Sequence, residues 1–174
     1  LYLSAAGTFT YYTNDFTNYT SMNSADCTAQ PVAPNCASGT WAPNPHASFF
    51  FATSLAIDPA NTHTVYATLT PWGSGQKMHV LKTTNQGASW TDISASLPDE
   101  PFETIAVNPV NPKILYAGGV PGVFISEDAG TTWSILGTGP PNVPVYNLQV
   151  SSDGKTVVAF TLGRSAWSIG VTPT

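Results

Sequence analysis

The chain has 174 residues, of which 42% are hydrophobic and only 9% are charged, and its formal net charge is −5. This length suits one domain with a buried core, and the apolar content excludes general disorder. Five Lys and Arg residues, scattered along the chain, are too few for a nucleic-acid surface, and no apolar stretch reaches the about 18 residues of a membrane-spanning helix. We therefore expect a globular protein with no nucleic-acid partner and no membrane span.

Residues 1–22 are predicted to form part of a β-sheet unit. Two short runs rich in aromatic and polar residues, 1–5 and 8–12, are typical of strands, and a turn-rich stretch follows at 13–19. Asn18 opens the sequon Asn-Tyr-Thr, which is a glycosylation site in a host that glycosylates secreted proteins. We interpret this segment as a partial copy of a unit that recurs further along the chain.

Residues 23–48 are interpreted as a loop insertion, and they hold both cysteines, Cys27 and Cys36. The sequence starts at Leu1 with no charged and apolar leader, so any signal peptide has been removed or lies outside it, and we expect a secreted, extracellular protein. In that setting the cysteine spacing predicts a disulfide. The alternative is a pair of free buried thiols. A metal site is not expected here, because the two cysteines have no further ligands nearby in the sequence.

A repeat dominates the next part of the chain. The segment 83–90, Thr-Thr-Asn-Gln-Gly-Ala-Ser-Trp, aligns with 126–133, Ser-Glu-Asp-Ala-Gly-Thr-Thr-Trp, at a spacing of about 43 residues. The same phrase, Asp/Asn-Pro-x-Asn, precedes each copy, and a shorter version follows at 150–155. Such a period with several short strands is typical of propeller blades. The motif residues are Thr83, Asn85, Gly87 and Trp90 in one copy and Ser126, Asp128, Gly130 and Trp133 in the other.

Short β-branched and aromatic runs broken by Gly, Pro, Asn and Asp predict the strands, and no run has helical periodicity. The first complete unit has predicted strands at 52–57, 64–69, 79–83 and 90–93. The second has them at 103–107, 114–117, 123–126 and 133–136, and the last at 145–150, 156–161 and 166–169.

The predicted fold is therefore all-β, a partial β-propeller of four-stranded antiparallel blades, two complete and two partial. The predicted segments are a partial blade at 1–22, the insertion at 23–48, blades at 49–97 and 98–139, and a closing partial blade at 140–174. Because a closed ring takes at least about four blades, we expect the missing blades to come from upstream chain or from another subunit.

The residue types of the repeated motif are suited to a hairpin turn between strands three and four. The Asp or Asn side chain accepts backbone N–H bonds within the turn, and the Gly adopts a positive φ. The Trp begins the outer strand and packs between blades. The motif therefore predicts a structural role.

These motif residues resemble the Asp-box of the bacterial neuraminidase repeat family, and the segment 161–169 is similar to the closing segment of such propellers. The resemblance implies the propeller fold. The family includes sialidases, xyloglucanase-type glycoside hydrolases and sortilin-like receptors, so it does not imply one activity. A sialidase would need an arginine triad, and this chain has the single arginine Arg164. Sialidase activity is therefore not expected from this segment alone.

The candidate ligand face lies opposite the motif hairpins, where the strand two to three turns and the blade connections meet. Aromatic rings beside carboxylates are typical of carbohydrate binding, since the rings stack on sugars. The alternative is that the tryptophans plug loops and the acids are solvated turn residues. No histidine has metal-ligand spacing, so we expect no metal and no cofactor. The candidate residues are Trp41, Trp72, Asp99, Glu100 and Glu103.

The sequence favours a non-catalytic extracellular module for protein or glycan interaction or for structural assembly. Self-association through open strand edges is one form of such assembly. The alternative is the C-terminal part of a secreted polysaccharide-degrading glycoside hydrolase, because two suitably placed carboxyl groups suffice for that chemistry.

Overall fold

A computed structural model describes residues 2–4, 10–12, 20–21, 49–72, 79–87, 90–137 and 143–172. The N-terminal sheet consists of β1 (Tyr2–Ser4), β2 (Thr10–Tyr12) and β3 (Thr20–Ser21). Blade A consists of β4 (Phe49–Ile57), β5 (Val65–Trp72), β6 (Val80–Thr83) and β7 (Thr91–Asp92). Blade B consists of β8 (Phe102–Val107), β9 (Leu115–Gly119), β10 (Gly122–Ser126) and β11 (Ser134–Ile135). Blade C consists of β12 (Val145–Val150), β13 (Thr156–Thr161) and β14 (Ala166–Gly170).

Each sheet is an antiparallel meander in which neighbours in sequence are neighbours in space. Blades A and B have four strands, and the N-terminal sheet and blade C have three strands each within the described residues. The predicted all-β fold built from propeller-type blades is confirmed. No helix in this part of the chain is long and apolar enough to cross a membrane.

The outer strands are shorter than predicted, and the tryptophan that was expected to start each of them stands outside it. In blade B, the backbone N–H of Trp133 donates to Ser96 Oγ (2.8 Å). The pairing then closes with the Leu136 N–H donating to the Val123 carbonyl (2.8 Å). Trp133 thus contacts the neighbouring blade directly before the strand begins.

All three described inner strands carry a β-bulge at the same level. The register shifts between Ala52 and Ser54 in β4, between Phe102 and Thr104 in β8, and between Val145 and Asn147 in β12. In blade A the bulge residue Thr53 bonds through Oγ1 to Thr68 Oγ1 (2.9 Å) and to the Phe102 carbonyl (3.0 Å). The bulge thus turns a side chain towards the next blade.

Adjacent blades pack face to face through two apolar clusters. Tyr66 and Tyr116 occupy the same position in strand two of blades A and B, and both are fully buried. Burial of side chains of this size contributes about 1.5–3 kcal/mol each. The blade A–B cluster is Tyr66, Val80, Phe102, Ile105, Leu115, Ala117 and Trp133, and the blade B–C cluster is Ile114, Tyr116, Val123, Val145, Leu148, Val157 and Ala159.

The meander gives the blades two chemically different ends. Strands one and three run in the same direction, so the strand one to two turns and the strand three to four hairpins lie at one end, here called the motif face. The strand two to three turns and the blade connections lie at the other end, here called the loop face. The two faces carry the two groups of residues that the sequence predicted to be important.

Candidate functional site

The motif hairpin of blade B is held by a network centred on Ser126 and Asp128. Ser126 Oγ accepts the Gly130 N–H (2.8 Å) and donates to Asp128 Oδ1 (2.8 Å). The carboxylate also accepts the backbone N–H (2.8 Å) and the hydroxyl (2.6 Å) of Thr132. Chiefly these bonds from Thr132 lower the pKa of Asp128 to about 2. The aspartate is thus held ionised as a turn-forming group.

Blade A repeats this hairpin with a neutral amide. Thr83 Oγ1 accepts the Gly87 N–H (2.9 Å) and donates to Asn85 Oδ1 (2.9 Å). Gly87 has φ 86° and Gly130 has φ 92°, the left-handed region that glycine adopts without strain. Gln86, at φ 60°, precedes Gly87 in the turn. The turn geometry therefore does not depend on the charge of the central side chain.

Each hairpin is fastened to the strand one to two turn of its own blade. The N–H of Gln86 donates to the His63 carbonyl (3.1 Å), and the N–H of Ala129 donates to the Lys113 carbonyl (2.8 Å). These bonds join the two turns that make up the motif face in each blade. Together with the internal networks, they are the features of a structural element.

The two motif tryptophans lie at matching positions and have different surroundings. Trp133 is buried, and its Nε1 donates to the carbonyl of Ile93 in blade A (2.8 Å). Trp90 packs on the other side of blade A with Ala67 and Leu69, and its buried Nε1 has no hydrogen-bond partner. Trp133 therefore links blade B to blade A through a hydrogen bond.

Other turn carboxylates are used in a similar way. Asp58 Oδ1 accepts the Ala60 N–H (2.8 Å), and Asp92 Oδ1 accepts the Ser94 N–H (2.9 Å). Asp153 Oδ1 accepts the Lys155 N–H (3.0 Å), and its hydrogen bond with the Ser151 hydroxyl is the main cause of its lowered pKa. Half of the eight carboxylates within the described residues, Asp58, Asp92, Asp128 and Asp153, thus form turns or caps.

The described members of the predicted ligand set lie at the loop face. Trp72 ends β5, where the backbone pairs with Phe49. Asp99 and Glu100 are exposed in the connection from blade A to blade B, and Glu103 is the bulge residue of β8. Trp41, the predicted disulfide of Cys27 and Cys36, and the sequon residue Asn18 lie outside the described residues.

Sequence reasoning missed a histidine beside this set. His79 is 1% exposed, and its Nε2 lies 3.1 Å from Oδ1 of Asp99, whose side chain is 48% exposed. The imidazole lies 5.7 Å from the Phe102 ring, between centroids. Its backbone N–H donates to Ser94 Oγ (2.9 Å). The contact with His79 holds Asp99 on the loop face. No short sequence motif predicts this contact, because the two residues belong to different segments of the chain.

Exposed apolar side chains also gather at the loop face. Val120 and Leu162 occupy the same position in the strand two to three turns of blades B and C. The Val120 N–H donates to the Pro101 carbonyl (2.9 Å) and the Leu162 N–H to the Pro144 carbonyl (3.0 Å), so both turns are anchored to a blade connection. The exposed large apolar residues near this face are Val120, Tyr146, Phe160, Leu162 and Trp167.

Within the described residues, no group of three or more His, Cys, Asp or Glu side chains is placed to hold a metal ion. The sequence expectation of no metal and no cofactor stays a prediction, because it concerns the whole chain. The chemistry that this part of the loop face offers is hydrogen bonding by carboxylates and contact by apolar and aromatic side chains.

Comparison with known proteins gives the fold. No family model matches the sequence, and no curated protein matches it. Among solved structures, an ancestral GH74 enzyme is similar with a TM-score of 0.54 and 17% identity, over 92% of this chain and 25% of the other. The GH74 xyloglucanase from Xanthomonas campestris is similar with a TM-score of 0.51 and 11% identity, over 97% and 34%. Ycf48, solved with a bound D1 peptide, is similar with a TM-score of 0.52 and 15% identity, over 99% and 52%.

The chain thus spans between a quarter and about half of the length of these proteins. At such identities the likeness establishes the fold and not the activity. The chain has the structure of consecutive β-propeller blades.

Proposed function

We propose that the chain is a non-catalytic, secreted propeller module of the Asp-box type that binds a protein or a glycan through its loop face. The observation that carries this proposal is the distribution of exposed apolar side chains. Five of the eight exposed large hydrophobic residues of the described chain lie at or beside the loop face. Clustered exposed apolar groups mark binding surfaces, whereas isolated ones are ordinary.

The use of the carboxylates supports a non-catalytic role. A glycosidase needs two carboxyl groups that are free to face the substrate. Asp58, Asp92, Asp128 and Asp153 instead accept bonds from their own turns. Three of these, Asp58, Asp128 and Asp153, lie at the motif face, so we assign the motif face to structure and the loop face to binding.

The proposed partner is a protein or a polysaccharide. The remaining blades would come from upstream chain or from another subunit, so a structural assembly is part of the same proposal. Sedimentation velocity tests the assembly: a species larger than one chain supports association, and a single-chain species at all concentrations rejects it.

Binding can be tested by electrophoresis in native gels that contain soluble plant or bacterial polysaccharides, with an arrayed peptide library as the protein arm. The variants are Tyr146→Ala and Leu162→Ala. The matched control is Ile135→Ala, because Ile135 is 62% exposed and Leu162 is 61% exposed, but Ile135 lies in the outer strand. Retention that is lost in the first two variants and kept in the control supports the proposal. Retention unaffected by all three, or absent with every probe, contradicts it.

The alternative function, part of a polysaccharide-degrading hydrolase, has one specific observation in its favour. Asp99 is half exposed on the loop face and is held by the buried His79. Incubation with the same polysaccharides and measurement of new reducing ends tests it, with Asp99→Ala and Glu103→Ala as variants. Turnover that disappears in these variants would replace the binding proposal.

A further inference from the structure

The side of blade C that points away from blade B is open to solvent. Strand pairing places six side chains there, in two rows across the three strands, and five of them are exposed while Val158 is half-buried. The residues at the corresponding positions of blades A and B are all buried or half-buried. The six residues, here called the outer face of blade C, are Asn147, Phe160 and Ala166 in one row and Gln149, Val158 and Ser168 in the other.

Two glycines show the difference between a covered and an open face. Gly118 lies on the corresponding face of blade B, and an added Cβ there would be 2.8 Å from Val145 Cγ1 of blade C. Gly170 follows Ser168 on the same side of β14, and an added Cβ there would meet nothing within 4 Å. The outer face of blade C is therefore accessible to a ligand.

This face also differs in composition from the two covered faces. Gln149 stands where blades A and B have Ala56 and Ala106. A group packed here as blade B packs on blade A would remove the amides of Gln149 and Asn147 from water, which is costly unless both amides are hydrogen-bonded. A ligand for this face must therefore supply hydrogen-bonding groups.

The large apolar contact of the covered faces is missing as well. Tyr66 and Tyr116 are fully buried members of the two clusters between blades, and blade C has the smaller Val158 at that position. Apolar contact on the outer face is left to its central strand, where Phe160 is 39% exposed. The face thus combines an exposed ring with exposed amides.

A second aromatic ring lies at the edge of the outer face that borders the loop face. Tyr146 is 53% exposed and is the bulge residue of β12. In blade A the bulge residue Thr53 bonds to the Phe102 carbonyl of the next blade, so this position reaches towards the open side. Aromatic rings beside amide and hydroxyl groups are suited to sugars, whose apolar ring faces stack and whose hydroxyl groups form hydrogen bonds.

We propose that a neutral glycan chain binds to the outer face of blade C. Its sugar rings contact Phe160 and Tyr146, and its hydroxyl groups bond to the amides of Asn147 and Gln149. A neutral chain fits better than an anionic one, because none of these side chains is charged and the net charge of the chain is −5. The inference rests on the proposed function for glycan binding and adds a second surface to the loop face.

The experiment measures retention of the full chain in native gels that contain hydroxyethyl cellulose, galactomannan or dextran, which are neutral, or carboxymethyl cellulose, which is anionic. Gln149→Ala introduces the residue that blades A and B have at this position, so the fold is kept. Phe160→Ala removes the ring. Each variant is expected to weaken retention by a neutral polysaccharide roughly two- to tenfold, the loss of about one hydrogen bond or one stacking contact.

Leu162→Ala separates this proposal from the proposed function, because Leu162 lies on the loop face, and Ile135→Ala is again the control. Retention that falls in Gln149→Ala and Phe160→Ala and persists in Leu162→Ala supports the outer face. Retention that falls only in Leu162→Ala overturns this proposal and leaves the proposed function standing. Absence of retention by all three neutral polysaccharides, or stronger retention by carboxymethyl cellulose, also overturns it.

A second measurement tests direct contact and the competing occupant, a second copy of the chain. The side-chain amide signals of Asn147 and Gln149, assigned through their loss in Asn147→Ser and Gln149→Ala, are expected to shift when the retained polysaccharide is added. Unchanged signals contradict the proposal. So does a species larger than one chain in sedimentation velocity that dissociates in Gln149→Ala while retention stays the same, since a second copy would then cover this face.

Discussion

Replacement of Gly118 by Ala tests the packing of blade B against blade C. Gly118 lies in β9 at the interface, and its backbone is not in the left-handed region, so alanine introduces no backbone strain. An added Cβ would lie 2.8 Å from Val145 Cγ1, 2.9 Å from Thr104 Cγ2 and 3.2 Å from Leu148 Cδ1. Two of these three atoms, those of Val145 and Leu148, belong to blade C, so most of the clash depends on the packing of blade C against blade B.

Overpacking of this kind costs about 1–3 kcal/mol. For a chain of this size, each kcal/mol lowers the melting temperature by roughly 2–4 °C. Val145→Ala alone leaves a cavity and costs about 1–3 kcal/mol. In the double variant the new methyl group occupies part of that cavity, so the combined loss is smaller than the sum by about 0.5 kcal/mol or more.

The assay is urea unfolding of the two single variants and the double variant. The m-value, which is the dependence of the unfolding free energy on urea concentration, is compared between variants to confirm that all of them unfold in the same way. Gly170→Ala is the control, since an added Cβ there meets nothing within 4 Å. It is expected to change stability by less than about 1 kcal/mol. If Gly118→Ala behaves like the control, or if the double-variant effects simply add, the described interface between blades B and C is wrong.

Three further predictions concern single side chains. Asp128→Ala is more destabilising at neutral pH than at pH 2. The lowered pKa of Asp128 gives a stabilisation that is full above the unfolded value of 3.8 and is lost as the pH falls through about 2; Asn85→Ala is the pH-independent control in urea titrations. Tyr66→Phe removes a loss of stability between pH 10 and 12, because burial, more than the charge of Asp58, raises the Tyr66 pKa to about 12 and favours the protonated form; unfolding curves at pH 9 and 12 check it. Asn108→Ala costs about 1–3 kcal/mol in thermal unfolding, since this buried amide donates to the Gly154 carbonyl (2.9 Å) and accepts two turn N–H groups.

Each of these has a contradicting result. If Asp128→Ala lowers the stability equally at both pH values, the charge of the carboxylate does not contribute to the stability of the hairpin. Identical alkaline unfolding of the wild type and Tyr66→Phe would show that the Tyr66 hydroxyl is not buried. An unchanged melting temperature for Asn108→Ala would show that the hydrogen bond from Asn108 to Gly154, between blades B and C, does not stabilise the fold.

The repeat explains how much of the fold was predictable from sequence. Two motif copies fix the hairpin positions, and the turn chemistry of Ser126, Asp128 and Gly130 follows from the residue types alone. The strand positions follow because short apolar runs alternate with Gly, Pro and Asn. The fold could therefore be predicted to the level of blades. The ends of the outer strands could not, because only two residues of each outer strand of blades A and B pair with the blade.

The candidate site was less predictable. Placement of Asp99 and Glu103 at one end followed from strand direction, which a meander determines. The link between His79 and Asp99 did not, because it joins strand three of one blade to the connection towards the next. The inner-strand bulges could not be predicted either. The bulge residues occupy the same position in the three inner strands, but their side chains have no chemical property in common: they are Thr53, Glu103 and Tyr146.

The central claim, that consecutive blades pack face to face in chain order, is tested most directly by one nuclear Overhauser spectrum of the full chain. The claim predicts contacts from the Trp133 indole proton to Ile93 and Ser94, across blades A and B, and from the Asn108 side-chain amide to Gly154, across blades B and C. Contacts within blades, such as Ala117 to Phe124, without either contact between blades would contradict it.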